Sequence, residues 1–379
     1  MDNNKKIKII TITGESNYGN SLQNYAVIKV LSKLGFKCET VKTNYEPDLK
    51  PNSKYKIKQY AKVLLNHNDY MYFLRKLNFY KFNKKYLHKS KDFVNETSVN
   101  KIDDCDALVF GSDQIWNFTM GRRIREGFVY FTGGFSQNIP KIAYSASIGA
   151  DYIPQELQNS FVDNITSFKA VSVREEKAKD IINNLTDKEV TVTLDPTMML
   201  DKSEWLEISK KPKFAYKKDK FILTYFLGEK TEQTNDLIDK TAREKGLKVI
   251  NLYNERCPIE KISDPNHFVT NPSEFIWLVA NCEIIFTDSF HGSVFSVIME
   301  KPFRCMDRIE AGQCNMSSRM DTLFKKFGIE AWCKNTDCTS ADDLFYKDYS
   351  EVANVLQAER EHAISFLKGA LDFYEAEQK

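Results

Sequence analysis

Residues 283–300 pass from a strand pattern to a helix pattern through one short polar turn, and no other stretch constrains the fold as much. Ile284–Thr287 is the β-branched and aromatic run that a buried parallel strand needs, and Val294–Met299 reads as a buried helix. Asp288, Ser289, His291, Gly292 and Ser293 lie between them. A strand that turns straight into a helix brings unpaired N–H groups and the positive end of the helix dipole to one point, which is an anion site. His291 adds a group that exchanges a proton near neutral pH. Packing alone does not account for polar residues in so apolar a flank, so this turn is the expected reactive centre. The competing reading of His291 is a buried ring bonded to backbone.

The same alternation recurs along the chain. Lys8–Thr13 reads as a strand, residues 14–24 as a polar loop, Ala26–Leu34 as a helix closed by Gly35, and Cys38–Val41 as a second strand. This is the opening of a doubly wound sheet, in which ligands bind beyond the carboxyl ends of the strands. The loop fits neither the dinucleotide fingerprint nor a P-loop. It is either a turn capped by Asn17 and Asn20, or a substrate-facing loop in which Asn17, Asn20, Gln23 and Asn24 meet hydroxyl groups.

Asp106–Gly111 is another strand, and its exit loop presents Asp113 and Asn117 as site candidates, with Trp116 a stacking platform or core. Ile142–Ala146 and Ala170–Arg174 follow. Arg174, at a strand end, reads as an anion clamp or as the partner of Glu175 or Glu176. Val190–Leu194 leads into the turn Asp195-Pro196-Thr197, and the lysine-rich residues 210–220 read as a linker.

A second alternation then begins. Strands are expected at Phe221–Phe226, Lys248–Leu252 and Phe303–Met306, and helices at Glu232–Lys245 (stopped by Gly246) and from Pro272 to Asn281. A further helix starts at Ser318 and ends near Gly328, and a long amphipathic helix, Glu351–Glu375, closes the chain. The predicted fold class is α/β, two Rossmann-like doubly wound domains facing a crevice. The expected boundaries are residues 1–205, 206–345 and a C-terminal helix 346–379. By pattern this is the architecture of the GT-B glycosyltransferases.

At 379 residues the chain exceeds one ordinary core. A net charge of +2 gives no global drive toward nucleic acid, and no apolar run approaches the length of a membrane span. The N-terminus lacks a signal-peptide pattern, so a cytoplasmic location is expected. The eight cysteines include no C-x-x-C pair, and the loose group Cys314, Cys333 and Cys338 has no histidine nearby. Reduced thiols are expected, and no metal site. Residues 50–92 interleave lysines with tyrosines and phenylalanines. They read as an inserted helical hairpin, either simply solvated or making peripheral contact with the inner membrane face or an anionic, lipid-linked acceptor.

Taken in order, Asn17-Tyr18-Gly19-Asn20 with Leu22-Gln23-Asn24-Tyr25, Gly111–Asn117, Val173-Arg174-Glu175, Leu194-Asp195-Pro196, Thr287–Gly292 and Ser318-Arg319 resemble the polysaccharide pyruvyl transferases. The likeness runs from residue 8 to residue 330. It implies a GT-B-like fold and phosphoenolpyruvate as donor and co-substrate, with no resident cofactor. The implied reaction places pyruvate as a ketal on two hydroxyls of a sugar in a bacterial capsule or exopolysaccharide, or on its lipid-linked precursor.

On this resemblance His291 is the acid that protonates the methylene carbon, and Asp113 or Asp288 is the base. Arg174, Ser289, Gly292, Ser293 and Arg319 hold the donor, mainly on the side of the C-terminal domain. Asn17, Gly19, Asn20, Gln23, Asn24 and Asn117 face the acceptor. Many members carry Arg-x-His-Gly where this chain has Ser289-Phe290-His291-Gly292, and Arg319, or else Arg304, is the expected substitute. Two other readings fit the same pattern. One is a sugar-nucleotide glycosyltransferase holding a diphosphate at the same helix end, and the other a non-catalytic glycan-binding module.

Overall fold

A computed structural model describes residues 5–13, 16–43, 67–94, 102, 104–119, 128–136, 138–215, 219–255, 257–308, 318–336 and 340–372. Among these, the strands form two parallel sheets. The first contains β1 (Lys6–Ile10), β2 (Lys37–Thr43), β3 (Lys89–Val94), β4 (Ala107–Gly111), β5 (Lys141–Ala146), β6 (Ala170–Val173) and β7 (Thr191–Val192), in the order β3-β2-β1-β4-β5-β6-β7. The second contains β8 (Phe221–Tyr225), β9 (Lys248–Leu252), β10 (Ile284–Thr287) and β11 (Phe303–Cys305), in the order β11-β10-β8-β9.

Each order reverses once, between β1 and β4 in one sheet and between β8 and β10 in the other. At such a point the two flanking loops diverge and leave a crevice for ligands. β4 and β10 are buried along their whole length, as strands covered on both faces must be.

The helices of eight or more residues are α1 (Tyr18–Lys33), α2 (His67–Tyr86), α3 (Gln155–Thr166), α4 (Glu176–Asn183), α5 (Glu232–Lys245), α6 (Pro272–Asn281), α7 (Phe290–Ile298), α8 (Ser318–Phe327) and α9 (Val352–Ala370). Their ends follow local chemistry. The Thr231 hydroxyl accepts from Thr234 N–H at the start of α5, and Gly246 takes the left-handed conformation at its end (φ 60°). Asn271 and Glu274 form a reciprocal capping box on α6. After the second sheet, α9 returns to the first half, where Arg360 donates to the carbonyls of Met198 (2.7 Å) and Leu200 (2.9 Å).

Two expectations need correction. The polar run from Tyr18 onward is the first half of α1 and not a loop, with Asn17 as its N-cap. Weak helix formers there are outweighed by burial, because Tyr18, Leu22 and Tyr25 pack into the core. The basic aromatic segment is also no separate hairpin where it is described. Its helix α2 leads into β3, which pairs with β2 as part of the main sheet, while residues 50–66 lie outside the described residues.

The two sheets share one apolar core, which runs from Ile7 and Tyr18 through Phe79 to Trp205, Phe275 and Phe295. Tyr18 stacks on Phe275 with ring centroids 4.8 Å apart, and Trp205 meets Phe295 at 4.9 Å. Arg75 of α2 is buried at this junction and donates to the carbonyls of Phe268 and Ser16. Its guanidinium lies 5.0–5.2 Å from the rings of Tyr18, Phe79 and Phe268. Several of the aromatic residues of residues 67–86 therefore pack inward, while Tyr80, Lys81, Lys84 and Lys85 form an exposed face of α2.

Candidate active site

The carboxyl ends of β4, β6, β7 and β10 converge on one buried cluster. β10 ends at Thr287, whose hydroxyl donates to Tyr225 O (2.6 Å) and accepts from Ser289 N–H (3.0 Å). This turns the chain sharply, and Ser289 becomes the N-cap of α7, its hydroxyl accepting from Gly292 N–H (3.3 Å). The first two amides of α7, on Phe290 and His291, lie before the intrahelical ladder begins. Asp288 is committed to the scaffold. Its carboxylate accepts from the amides of Leu227 and Gly228, both at 2.7 Å, which binds the two loops at the second switch point together. That removes it as a free base.

His291 is 7% exposed, and its Nε2 has no hydrogen-bond partner among the described residues. The ring sits 3.7 Å (Nε2 to Oδ2) from Asp195 and edge-on to Phe290. From the first turn of α1, Gly19 presses against it. A β-carbon on Gly19 would stand 2.6 Å from Cε1 and 2.7 Å from Cγ. Burial holds the imidazole below its ordinary pKa. Asp195 and Asp113 pull it up, and Arg174 and Arg319 push it down. Held below its ordinary value, the ring is neutral at pH 7.

Arg174 and Asp195 are the paired charges beneath the histidine. Arg174 Nη1 donates to Asp195 Oδ2 (2.6 Å), its Nε lies 3.4 Å from Glu175 Oε1, and its Nη2 lies 3.9 Å from Asp113 Oδ1. The predicted partner Glu175 is confirmed, and two further acids join it. Burial alone would lower the Arg174 pKa, but Asp195, Glu175 and Asp113 outweigh it and raise it. Burial alone would raise the Asp195 carboxyl, but Arg174, His291 and the bond from Thr197 hold it below its ordinary value. Only Nη2 of Arg174 is left without a hydrogen-bond partner among the described residues.

Asp113 follows β4 with φ 64°, a left-handed conformation that costs a non-glycine residue free energy and marks a position the surroundings impose. Its Oδ1 accepts from Gln114 N–H (2.9 Å), and no hydrogen bond to Oδ2 occurs among the described residues.

Arg319, at the start of α8, is buried. Its guanidinium lies 5.8 Å from the Phe290 ring, and that of Arg174 lies 4.3 Å from the same ring. Burial and the neighbouring cations Arg174 and Arg308 lower the Arg319 pKa to about 9. Arg304 is elsewhere, donating to the carbonyls of Phe303 (2.8 Å) and Asp343 (2.6 Å). It is not the substitute for the missing arginine. Ser293 is wholly buried in α7, its hydroxyl without a partner among the described residues. Gly292 lets α7 approach Thr287, whose side chain a β-carbon would meet at 3.2 Å.

The residues expected to face an acceptor are mostly scaffold. Gln23 donates to Thr11 Oγ1 (2.8 Å) and accepts from Ser112 N–H (3.2 Å), so it staples α1 to both strands at the first switch point. Asn24 accepts from Thr40 Oγ1 (2.9 Å), and Asn17 caps α1 through Asn20 N–H. Asn117 donates to Gly149 O in the loop after β5 (3.1 Å) and accepts from Thr119 Oγ1 in its own loop (2.6 Å). Trp116 is core, its Nε1 donating to Phe131 O (2.8 Å). Asn17 and Asn20 are the partly exposed members of this set.

Two residues of the cluster were not foreseen as site residues. Asp195 stood in the sequence as a turn residue before proline. Its Leu-Asp-Pro setting at a strand end was the available signal. Arg308, just past β11, had none. Its Nη2 donates to Asp288 O (2.9 Å) and its Nε lies 3.4 Å from Asp288 Oδ2.

Among the described residues, no group of three or more His, Cys, Asp or Glu is placed to hold a metal ion, and no helix is long and apolar enough to cross a membrane.

Two facing parallel sheets with a charged cluster at their strand ends define a GT-B-type protein. The chain shares this fold with the protein assigned as a UDP-N-acetylglucosamine 2-epimerase in Listeria monocytogenes, with TM-score 0.50, 9% identity, and coverage of 96% of this chain and 90% of that one. An α-glucosyltransferase solved with UDP and a 13-mer DNA is similar to the same degree, with TM-score 0.50, 12% identity, and coverage of 97% and 96%. No curated protein sequence matches the chain significantly. The sequence model of the polysaccharide pyruvyl transferases matches residues 17–309, and the chain belongs to that family.

Proposed function

We infer that the protein transfers pyruvate from phosphoenolpyruvate to two hydroxyls of one sugar, forming a ketal during assembly of a bacterial capsule or exopolysaccharide. The observation that carries this reading is the setting of His291. It is a neutral, buried imidazole with a free Nε2, at the amino end of α7 and between cationic side chains. The carboxylate and phosphate of the donor match Arg174 Nη2, Arg319 and the first amides of α7.

Arrival of that negative charge raises the His291 pKa, so the ring becomes an acid once the donor is bound. Its proton goes to the methylene carbon, which becomes the methyl group, and positive charge develops at C2. One sugar hydroxyl attacks C2, the C–O bond to phosphate breaks, and the second hydroxyl closes the ketal. The two hydroxyl protons are balanced by the methyl group formed and the hydrogen phosphate released. Asp113, with Oδ2 open and its backbone held in an imposed conformation, is the base for the attacking hydroxyl. Phosphoenolpyruvate enters as a co-substrate, so the chemistry asks for no resident cofactor.

A lipid-linked acceptor would place the enzyme at the inner face of the membrane. The exposed face Tyr80, Lys81, Lys84 and Lys85 of α2 suits peripheral contact with an anionic surface there.

The test is incubation with phosphoenolpyruvate and galactose-terminated saccharides, reading phosphate release and product mass. Acceptor-dependent phosphate release with gain of one pyruvylidene group is expected. Inertness toward phosphoenolpyruvate together with turnover of a sugar nucleotide would replace this reading with glycosyl transfer.

A further inference from the structure

Ser289 occupies the position before Phe290-His291 and brings no charge to the site, since its hydroxyl is the cap of α7. Around it stand three guanidiniums from three parts of the chain. Arg174 follows β6, Arg319 opens α8, and both lie against the Phe290 ring. Arg308 comes from the exit of β11 and is fixed to the residue directly before Ser289, through Nη2 to the Asp288 carbonyl and Nε toward its carboxylate.

The carboxylate of Asp288 already accepts two short backbone hydrogen bonds. Each Asp288 oxygen thus already has one partner before Arg308 is counted. One edge of the guanidinium is anchored, Nη1 forms no hydrogen bond among the described residues, and the side chain keeps 15% of its surface exposed. An anchored, partly open arginine bonded to the residue just before a helix N-cap, with that helix's first amides following, has the composition of a phosphate site.

We propose that Arg308 is a substrate-binding residue, which together with the first amides of α7 holds the phosphate group of the donor and supplies the charge absent at Ser289. This rests on the proposed donor chemistry. Arg174 Nη2, without a hydrogen-bond partner among the described residues, is left for the carboxylate. Burial first, and then the nearby Arg174 and Arg308 guanidiniums, hold the Arg319 pKa down at about 9.

The experiment measures binding of phosphoenolpyruvate and, separately, of inorganic phosphate by calorimetry, with unfolding of each ligand-free protein as control. Arg308→Met should weaken both ligands roughly thirtyfold, the loss of a charge-assisted bond pair, while Arg308→Lys stays within roughly fivefold of wild type. Because Arg308→Met leaves Asp288 buried without its cation, the double variant Asp288→Asn/Arg308→Met is measured beside it. It restores charge balance and should remain as weak as the single variant. Unchanged affinities in Arg308→Met, or recovery of both in the double variant, would show that Arg308 merely neutralises Asp288 and overturn the proposal. Wild-type protein that binds phosphate but not phosphoenolpyruvate would defeat the donor assignment alone, with loss of phosphate binding in Arg308→Met still supporting the role of Arg308. Wild-type protein that binds neither overturns both.

Discussion

Gly19→Ala isolates the placement of His291 from everything else in the site. Gly19 lies in the first turn of α1 and needs no left-handed backbone, so alanine is compatible with the chain there. In helix propensity the change is favourable by about 1 kcal/mol. The new methyl, however, would stand 2.6 Å from Cε1 and 2.7 Å from Cγ of His291. Ordinary carbon contacts lie near 3.5–4.0 Å, so the ring must retreat by about 1 Å. Asp195 at 3.7 Å and Phe290 on its edge limit where it can go. A misplacement of that size costs on the order of a hundredfold in rate. Gly19→Ala should therefore lower kcat about a hundredfold at saturating phosphoenolpyruvate, with an unfolding temperature equal to or above wild type. Side-chain NMR should show displaced His291 ring resonances. Wild-type turnover with unmoved ring signals would refute the packing argument. A large fall in unfolding temperature would attribute any lost activity to misfolding.

Other perturbations read different parts of the site. His291→Ala should abolish transfer with little change in stability; a fully active variant would remove the histidine from the mechanism. Because burial lowers the His291 pKa and the proposed donor would raise it, binding should take up about one proton near neutral pH and weaken as pH rises. Calorimetry in buffers of different ionisation enthalpy measures this, and no proton uptake contradicts it. The depressed pKa also predicts stability that is full above the unfolded value and declines as pH falls toward the folded one, a slope His291→Gln should flatten. Asp113→Gly should raise stability by about 1 kcal/mol through relief at φ 64° while lowering turnover, so a destabilised variant would speak against imposed strain. Arg75→Ala, which leaves two buried carbonyls without a donor, should cost about 3 kcal/mol in denaturant unfolding, and a change under about 1 kcal/mol would deny it a role in joining the halves.

The elements whose ends are set by local chemistry were legible in the sequence. The capping box at Asn271, the stop at Gly246 and the strand Ile284–Thr287 lie where pattern and turn residues put them. The start of α1 was not, because its glycine and asparagines look like loop chemistry until a neighbouring histidine and strand are in place. In the site, His291 was visible from its turn alone and Arg174 from its strand end. Asp195 and Arg308 were hidden because their meaning comes from partners 21 and 20 residues away, Arg174 and Asp288. Short-range spacing carries cap and turn information, whereas the choice of ion-pair partner is decided by topology.

The apolar core common to both sheets bears on how the protein unfolds. Tyr18 and Gly19 occupy the same turn of α1, one stacked on Phe275 and the other against His291. The aromatic contact that joins the halves and the glycine contact that seats the imidazole therefore form and break together. With so continuous a core, the halves should melt in one cooperative transition, and the histidine's seat should be lost in that same step. Heat inactivation and global unfolding then become a single event, with no populated state that is folded but catalytically blind.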